Sequence, residues 1–315
     1  MLDILFAGEL NIDAIMGGVK QMPVFGKEIL CETYREVPGS STGNCACAAA
    51  SLGLKTAIFS RLGTDRFGDI VLGALKKYDI DLSFLDISED YHTGVTVSLS
   101  NDVDRAMITC FGDTIDCFDA EEIPIDRSNA RHLHAGSFFL QPRVRKGLAG
   151  VFEKARVMGM TTSLDAGWDE HGKWHDALDD VLLHTDFFFP NESEAEAITG
   201  ESDPMRAAVQ LAGLGCNVVV KLGGSGSIYC PKHSADAQLY PAYKTRVVET
   251  TGAGDSFNAG FLYGYLNGME IGDCMRMGNA VGALSVMRNG GSENCPTLEE
   301  ARETIRRGTT LHEEA

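Results

Sequence analysis

The 315-residue chain alternates between segments that are typical of buried strands and segments with helical periodicity. "DILFAG" and "KTAIFSRLG" are short apolar runs, whereas "NCACAAASLG" is rich in Ala and "DRFGDIVLGALKKY" has one apolar stripe. The same order recurs, with strands in "MTTSLDAG", "DFFFPNE" and "NVVVKLGG" and helices near 144–159, 176–184, 192–214, 253–267 and 272–287. Strands separated by helices predict an α/β fold, with a mainly parallel sheet and helices on both faces.

Two stretches depart from this order. "TGVTVSLSNDVDRAMITCF" alternates polar and apolar residues on both sides of a polar turn at 101–104, which predicts a β-hairpin. With residues 13–37 this hairpin is expected to form a small β lid, over segments of about 13–37 and 92–112, above the strand ends where open α/β sheets bind ligands. The alternative is an edge hairpin without a role in binding. Because the apolar face of Val95, Val97 and Leu99 needs cover, we also expect a homodimer through the lid.

Composition limits the classes of function. The length and the 44% hydrophobic content suit a single α/β domain over residues 1–315. The formal net charge of -18 disfavours nucleic acids and anionic membranes as partners. The nine cysteines include no Cys-x-x-Cys pair and no secretory signal is visible, which predicts a cytoplasmic location. Cys45 and Cys47 are interpreted as small core residues.

The stretch "ETTGAGDSFNAGF", residues 249–261, places three small residues and then an acid at the start of a helix. The N–H groups of Gly252, Ala253 and Gly254 (the anion turn) can point inward, and the helix dipole adds positive potential. Such a turn would stabilise a phosphoryl group in transfer, and Asp255 beside it would take the proton of an attacking hydroxyl. The alternative is a glycine-rich turn in which Asp255 is an ordinary first-turn acid.

Several motifs, in the same order, resemble those of the ribokinase-like (PfkB) carbohydrate kinases. "ETTGAGDSF" is similar to the family signature D-T-T-G-A-G-D-x-F, and "PGSSTGNCACAAASLG" to its N-terminal glycine-rich turn and Ala-rich helix. "RLGTDRFGD" looks like the family's G-x-D-x-x-G, "PNESEAEAITG" carries its N-x-x-E, and "VVVKLGGSGS" is similar to its nucleotide loop. The resemblance covers nearly the whole chain and implies a ribokinase-like fold and an ATP- and Mg²⁺-dependent sugar kinase.

The resemblance also assigns roles to residues that match the motifs. It implies that Asp255 deprotonates the sugar hydroxyl and that the anion turn binds the γ-phosphoryl group. Glu194 would hold Mg²⁺ through water, which suits a cation that keeps much of its hydration shell. The residues implied at the nucleotide and its metal are Asn191, Glu194, Lys221, Gly223, Gly226 and Asn279. The alternative for "NESEAEA" is an acidic helix start, with Asn191 as its cap and Glu194 completing a capping box.

For the acceptor, the resemblance implies contacts with Asn11, Asp13, Gly39, Ser40, Asn44 and Gln141. Asp and Asn at a strand end offer acceptors and donors for vicinal hydroxyls, although Asp13 could instead cap a turn. Ribokinases usually carry G-G-K-G-A-N where this chain has "GSSTGN", so ribose is not assured. The expected substrate is a small ribose-, fructose- or ketodeoxygluconate-like sugar.

Three features depart from the family pattern or stand outside it. Glu249 replaces the first aspartate of the signature, at a monovalent-cation site of potassium-activated members, so the ion is shifted or abolished; if the site survives, its ligands would be Glu249, Thr251, Ser285, Arg288 and Gly290. An acidic sugar would need a cationic clamp, for which Arg105 and Arg143 are candidates, with a solvated surface charge as the alternative for each. His171 and His175 indicate an exposed loop more than a metal pair.

Two rival functions stay open. A nucleoside kinase of the same family is favoured if Phe25, Tyr34 and Phe111 offer aromatic faces to a base. A sugar- or nucleotide-sensing protein without turnover is the rival outside the enzymes, and the intact Asp255 and anion turn argue against it. A P-loop kinase and a dinucleotide dehydrogenase are disfavoured, because their glycine motifs are missing from the sequence.

Overall fold

A computed structural model describes residues 1–101, 105–288 and 290–308. The strands are β1 (Leu2–Ala7), β2 (Asn11–Gly17), β3 (Thr33–Pro38), β4 (Thr56–Gly63), β5 (Leu85–Ser88), β6 (Gly94–Ser100), β7 (Arg105–Cys110), β8 (Ala130–Ala135), β9 (Thr161–Leu164), β10 (Phe187–Phe188), β11 (Asn217–Lys221), β12 (Ser227–Cys230) and β13 (Gln238–Tyr240). The helices are α1 (Ser41–Ser51), α2 (Arg66–Lys77), α3 (Ile125–Ser128), α4 (Pro142–Val157), α5 (Leu178–Leu182), α6 (Glu192–Thr199), α7 (Pro204–Gly213), α8 (Ala253–Leu266), α9 (Ile271–Ser285) and α10 (Leu298–Arg307).

The larger of two sheets, the main sheet, has the order β13-β12-β11-β10-β9-β8-β1-β4-β5. Its strands from β11 to β5 pair in parallel, and β12 and β13 add an antiparallel edge. Parallel strands need crossover connections, which the intervening helices supply. The predicted α/β fold with a mainly parallel sheet is confirmed.

Both faces of the main sheet are covered. Along β1, Leu5 and Ala7 belong to one buried apolar cluster, which includes residues of α4 and α7, whereas Ile4 and Phe6 belong to another, which includes residues of α1, α8 and α9. Successive side chains of a strand point to opposite faces, so a strand that is apolar at every position indicates two cores. No helix in the described ranges is both long and apolar enough to cross a bilayer.

The second sheet (the small sheet) has the order β3-β2-β6-β7. β6 and β7 pair antiparallel, which confirms the hairpin, although residues 102–104 of its turn lie outside the described residues. β2 begins two residues before the predicted segment 13–37 and β3 ends one residue after it. β2 pairs antiparallel with β3 and in parallel with β6. Val95 and Val97 are partly buried against the core of the chain itself. Because β2 follows β1 after a short turn, the small sheet lies next to the strand ends of the main sheet.

Candidate active site

Polar side chains that follow or end several parallel strands meet at the carboxyl edge of the main sheet. Glu9 follows β1 and Ser137 follows β8, and the Ser137 hydroxyl donates to Glu9 Oε1 at 2.8 Å. Asp165 follows β9 and Lys221 ends β11, and Lys221 Nζ donates to Asp165 Oδ2 at 2.6 Å. This edge is where open parallel sheets bind ligands, so we take it as the candidate site.

Asp255 lies in the first turn of α8, and each of its carboxylate oxygens accepts a hydrogen bond. Ser41 Oγ donates to Oδ1 at 2.7 Å, and Asn44 Nδ2 donates to Oδ2 at 3.2 Å. Burial, followed by the negative charge of Asp165, raises the pKa of Asp255 to about 7, and the hydrogen bond from Ser41 opposes this rise. A fixed carboxylate with a pKa near neutrality is suited to accept a proton at physiological pH.

A second carboxylate, Glu9, fixes the glycine-rich turn that carries Ser41. Glu9 Oε1 accepts from the Ser41 N–H at 2.9 Å, and Oε2 accepts from Thr42 Oγ1 at 2.8 Å. Burial raises the pKa of Glu9, and hydrogen bonds, chiefly from Ser137, limit that rise. Glu9 therefore orients Asp255 indirectly, through Ser41. Neither Glu9 nor Ser41 is among the site residues predicted from the sequence, although an acid directly after a buried strand is a signal for Glu9.

The anion turn begins α8 with Gly252 in the left-handed region at φ 73°, a conformation that favours glycine. The Ala253 N–H donates to the carbonyl of Thr250 at 3.2 Å, so this amide takes part in the turn. The N–H groups of Gly254 and Asp255 lie in the first turn of α8, where N–H groups have no intrahelical acceptor. The N-terminus of α8 thus presents hydrogen-bond donors and the positive end of the helix dipole beside the Asp255 carboxylate.

A buried ion pair lies next to the anion turn. Asp165 Oδ2 accepts from Lys221 Nζ at 2.6 Å and from Asn258 Nδ2 at 2.7 Å, and a Cβ built on Gly254 would lie 3.5 Å from Lys221 Nζ. Burial opposes the charge of Lys221, but Asp165 and Glu194 raise its pKa above the ordinary value. Burial, followed by Asp165, raises the pKa of Glu194 to about 8. The positively charged Lys221 ammonium group is therefore held beside the anion turn.

Asn191 and Glu194 form the capping box of α6. The Asn191 side chain accepts from the Glu194 N–H at 2.9 Å, and Glu194 Oε2 accepts from the Asn191 N–H at 2.8 Å. The capping alternative for this pair is therefore confirmed. The capping pair nevertheless lies in the site. Asn191, which follows β10, forms a parallel β-bridge with Lys221 at the end of β11. The charges of Asp165, Lys221 and Asp255 all act on the pKa of the Glu194 carboxyl.

The glycine loop after β11 is shaped by Gly223 and Gly226, which have φ of 54° and 106°. A Cβ on Gly226 would lie 2.1 Å from the Tyr240 carbonyl oxygen, so only glycine fits there. Asn279 closes the same region from α9: its Oδ1 accepts from Ser227 Oγ at 3.0 Å and its Nδ2 donates to the Tyr240 carbonyl at 3.1 Å. Asn279 thus holds the β12 edge in place, and its contact with a nucleotide stays a prediction.

On the acceptor side, Asn11 and Asp13 lie together on β2. Asn11 Nδ2 donates to Thr96 Oγ1 of β6 at 3.2 Å and to Asp13 Oδ1 at 3.4 Å. A Cβ on Gly39 would lie 2.4 Å from Asp13 Oδ1, so the glycine-rich turn approaches this carboxylate closely. Burial raises the pKa of Asp13 to about 6, and the charge of Arg105 opposes that rise.

The remaining predicted acceptor residues have structural partners. Ser40, at φ 69°, is the N-cap of α1, and its hydroxyl accepts from the Gly43 N–H at 2.8 Å. Gln141 is buried, and its Nε2 donates to the Gly136 carbonyl at 2.7 Å. Asn44, like Ser41, donates a hydrogen bond to the Asp255 carboxylate. Contacts of Ser40 and Gln141 with a sugar stay predictions.

The residues predicted for a monovalent cation have partners within the chain. Glu249 Oε2 accepts from Arg35 Nη2 at 2.7 Å and from the Gly290 N–H at 3.1 Å, and Thr251 Oγ1 accepts from Arg105 Nη1 at 3.1 Å. Two other side chains are directed elsewhere: Ser285 Oγ donates to the Gly282 carbonyl, and Arg288 Nη1 donates to the carbonyls of Asn294 and Cys295. Arg35 was not among the predicted site residues.

Three further sequence candidates lie outside this site. Arg143 pairs with Asp119 at the surface, which confirms the surface-charge alternative for that arginine. His175 Nδ1 lies 2.9 Å from Asp179 Oδ1, and His171 is largely exposed. Among the described residues, no group of three or more His, Cys, Asp or Glu side chains is placed to hold a metal ion.

One protein family and several characterised relatives match nearly the whole chain. The profile described as "pfkB family carbohydrate kinase" matches residues 1–298. The chain is 28% identical to 2-dehydro-3-deoxygluconokinase of Bacillus subtilis (strain 168), over 94% of this chain and 92% of that protein. It is 30% identical to a nucleoside kinase of Methanothermobacter thermautotrophicus, over 95% and 94% of the two chains.

Solved structures show the same fold at lower sequence identity. The Arabidopsis thaliana ribokinase complexed with ribose and ATP superposes with a TM-score of 0.80 at 23% identity, over 97% of this chain and 99% of the ribokinase. An E. coli protein assigned provisionally as a ribokinase II, in complex with ATP and Mg²⁺, superposes with a TM-score of 0.83 at 23% identity, over 98% and 100% of the two chains.

Proposed function

The chain belongs to the pfkB family of carbohydrate kinases, and we propose that it transfers the γ-phosphoryl group of ATP to a hydroxymethyl group of a small sugar, with Asp255 as general base. The observation that carries the proposal is the Asp255 carboxylate, fixed by Ser41 and Asn44 beside the start of α8. Phosphoryl transfer to an alcohol needs a proton acceptor and positive potential within reach of each other. The position of the Asp255 carboxylate at the start of α8 supports both roles.

Asp255 accepts the proton of the acceptor hydroxyl while the hydroxyl oxygen attacks the γ-phosphorus of ATP. The bond between that phosphorus and the oxygen bridging to the β-phosphate breaks, and ADP leaves. The donors of the anion turn and the charge of Lys221 stabilise the negative charge on the phosphoryl oxygens. Removal of one such preorganised donor in other enzymes costs on the order of a hundredfold to a thousandfold in rate. Because Lys221 is held by Asp165, its charge needs no rearrangement during the reaction.

Asn191 and Glu194 would hold Mg²⁺ through water, next to the phosphates. The buried Glu194 carboxyl fits this role, since its pKa is raised to about 8 by burial and by Asp165, and a nearby divalent cation would favour its ionised form. When bound, Mg²⁺ neutralises phosphate charge. The E. coli complex with ATP and Mg²⁺ supports this part of the proposal.

The acceptor is a polyol, bound by Asn11 and Asp13 beneath the small sheet, which we propose to be the lid. Relatives named 2-dehydro-3-deoxygluconokinase and ribokinase support a sugar acceptor. A nucleoside acceptor is the second candidate, supported by the similarity to a nucleoside kinase and by the exposed rings of Phe25, Tyr34 and Phe111.

A coupled assay of ADP release tests the proposal over pentoses, hexoses, keto-deoxy acids and nucleosides. We expect ATP- and Mg²⁺-dependent turnover with one sugar class. Turnover with nucleosides alone would select the second candidate, and no turnover with any acceptor would favour the sensing protein.

The base is tested by Asp255→Asn, which keeps the shape of the side chain. We expect turnover to fall by about a hundredfold or more while ATP affinity, measured by calorimetry, changes little. The matched control is Asp273→Asn, because Asp273 is a first-turn acid of α9 and exposed. Equal activity of the two variants would contradict the base and favour the alternative that Asp255 is an ordinary first-turn acid.

We also propose a homodimer that forms through the small sheet in the cytoplasm. Met107 and Ile108 of β7 are 58% and 66% exposed, which supports an interface at that edge, and all nine cysteines are free thiols, which supports a reducing compartment. Light scattering that gives the mass of one chain would contradict the dimer.

A further inference from the structure

Two arginines reach from opposite edges of the small sheet to the segment before the anion turn. Arg35 lies on β3 and Arg105 on β7, which are the outer strands of the small sheet. Arg35 Nη2 donates to Glu249 Oε2 at 2.7 Å, and Arg105 Nη1 donates to Thr251 Oγ1 at 3.1 Å. Segment 249–251 therefore has two guanidinium groups where the family resemblance predicts a cation.

The Glu249 side chain is less exposed to solvent than that of its partner Arg35. Its side chain is 15% exposed, and its Oε2 accepts from the Gly290 N–H as well as from Arg35. The Glu249 carboxylate thus has a positive partner, the Arg35 guanidinium, that is part of the chain.

These contacts do not fit a monovalent-cation site. The Thr251 hydroxyl and one oxygen of Glu249 are already bonded to arginines. The second oxygen, Oε1, is buried and accepts no hydrogen bond from the described residues, so it is the carboxylate oxygen that a cation would use. A cation at Oε1 would lie close to the Arg35 guanidinium, and like charges at that range repel each other.

We infer that the Arg35 guanidinium supplies, from within the chain, the positive charge that a monovalent cation would supply at Glu249, so that turnover needs no such ion. Arg35 is a positioning residue: it holds Glu249 and, through Glu249, the segment that leads into the anion turn. The inference rests on the proposed function for its activity readout, but not for its Tm readout.

The first experiment compares the unmodified protein in KCl, NaCl and tetramethylammonium chloride at equal ionic strength. We expect turnover to agree within about twofold and Tm to be the same in the three salts, because matched ionic strength equalises general screening. A several-fold stimulation or a rise in Tm that is specific to K⁺ would overturn the inference. If no acceptor is turned over, the proposed function fails, whereas the Tm comparison still decides the inference.

The second experiment replaces the guanidinium. We expect Arg35→Gln to lower kcat by about tenfold or more, the size of a lost charged hydrogen bond, and Arg35→Lys to recover part of the loss. The matched control is Arg66→Gln, because Arg66 pairs with Glu36 of the same strand β3 and is 76% exposed. Equal kcat for Arg35→Gln and Arg66→Gln would refute the role of Arg35.

If Arg35→Gln does not fold, the turnover of Arg35→Lys in the three salts tests the inference instead. Turnover that stays independent of K⁺ supports a charge supplied by the chain. Turnover that becomes dependent on K⁺ in the lysine variant, which keeps the positive charge, would contradict it.

Discussion

The hydrogen bond between Ser41 and Asp255 gives the sharpest test of the proposed mechanism. Ser41 Oγ lies 2.7 Å from Asp255 Oδ1, and its hydroxyl can donate to the ionised carboxylate. This bond lowers the pKa of Asp255, against the rise caused by burial and Asp165. Ser41→Ala removes this donor and keeps the hydrogen bond from Asn44 to the other carboxylate oxygen, so we expect the pKa of Asp255 to rise above about 7.

The magnitude follows from the strength of a hydrogen bond to a charged group, about 1.5 to 3 kcal/mol. That energy corresponds to roughly a ten- to hundredfold change in the protonation equilibrium of the base. At a pH below the pKa, the ionised fraction of Asp255, and with it kcat/KM, should fall by about the same factor. At a pH well above both pKa values the loss should be much smaller, because Asp255 is then ionised in both proteins.

The assay is the pH profile of kcat/KM, measured by ADP release. We expect the acidic limb of the profile to shift to higher pH in Ser41→Ala. The matched control is Ser51→Ala, at the other end of α1, where the hydroxyl donates to the Pro296 carbonyl at 3.0 Å. A uniform loss of activity at every pH, or an acidic limb that stays in place, would refute the assignment of Asp255 as the base that Ser41 tunes.

Three further predictions concern stability, and urea unfolding tests each of them. A Cβ on Gly68 would lie 1.9 Å from a backbone carbonyl, so Gly68→Ala should cost about 1 to 3 kcal/mol or more, whereas Gly73→Ala, in open space on the same helix, should be neutral or stabilising. Lys221→Met should cost about 3 to 5 kcal/mol, because it leaves buried carboxylates unpaired, against less than about 1 kcal/mol for the exposed Lys154→Met. Burial lowers the pKa of His134 to about 4 from an ordinary 6.5, so its contribution to stability is complete above pH 6.5 and is lost as the pH falls toward 4. Relative to His134→Leu, the unmodified protein should lose about 1.4 kcal/mol per pH unit in that range.

Each stability prediction has a result that would contradict it. For the glycines, it is an equal loss in the two alanine variants. For the lysines, it is a loss of unfolding free energy in Lys221→Met that is no larger than the loss in Lys154→Met. For His134, it is the same pH dependence in the histidine and leucine proteins.

Local pattern predicted the central fold because the strands of the main sheet are short apolar runs. β1 and β11 are buried on both faces, and this leaves a continuous apolar signal in the sequence. The edge strands β12 and β13 have four and three residues, too short to show a period, and they exist through pairing with β11 and with each other. Helix α10, "LEEARETIRR", is mostly polar and was also not predicted.

The candidate site could be predicted where one local segment carries the chemistry. Asp255 and the anion turn are contiguous, so their relation is visible in the sequence. Ser41 and Arg35 have no such local signal, because each acquires its role from a partner far along the chain. Asp165 and Lys221 likewise become a pair only when β9 and β11 are placed in one sheet.

The long reach of these contacts has a consequence for protein synthesis. Ser41 and Asp255 are separated by 214 positions, and so are Arg35 and Glu249. A nascent chain therefore carries half of each pair long before the ribosome has made the other half, and loops of this length close late in folding. A polypeptide released before α8 is translated would lack the proposed base altogether, so we expect incomplete products of this gene to be unable to transfer phosphoryl groups from ATP.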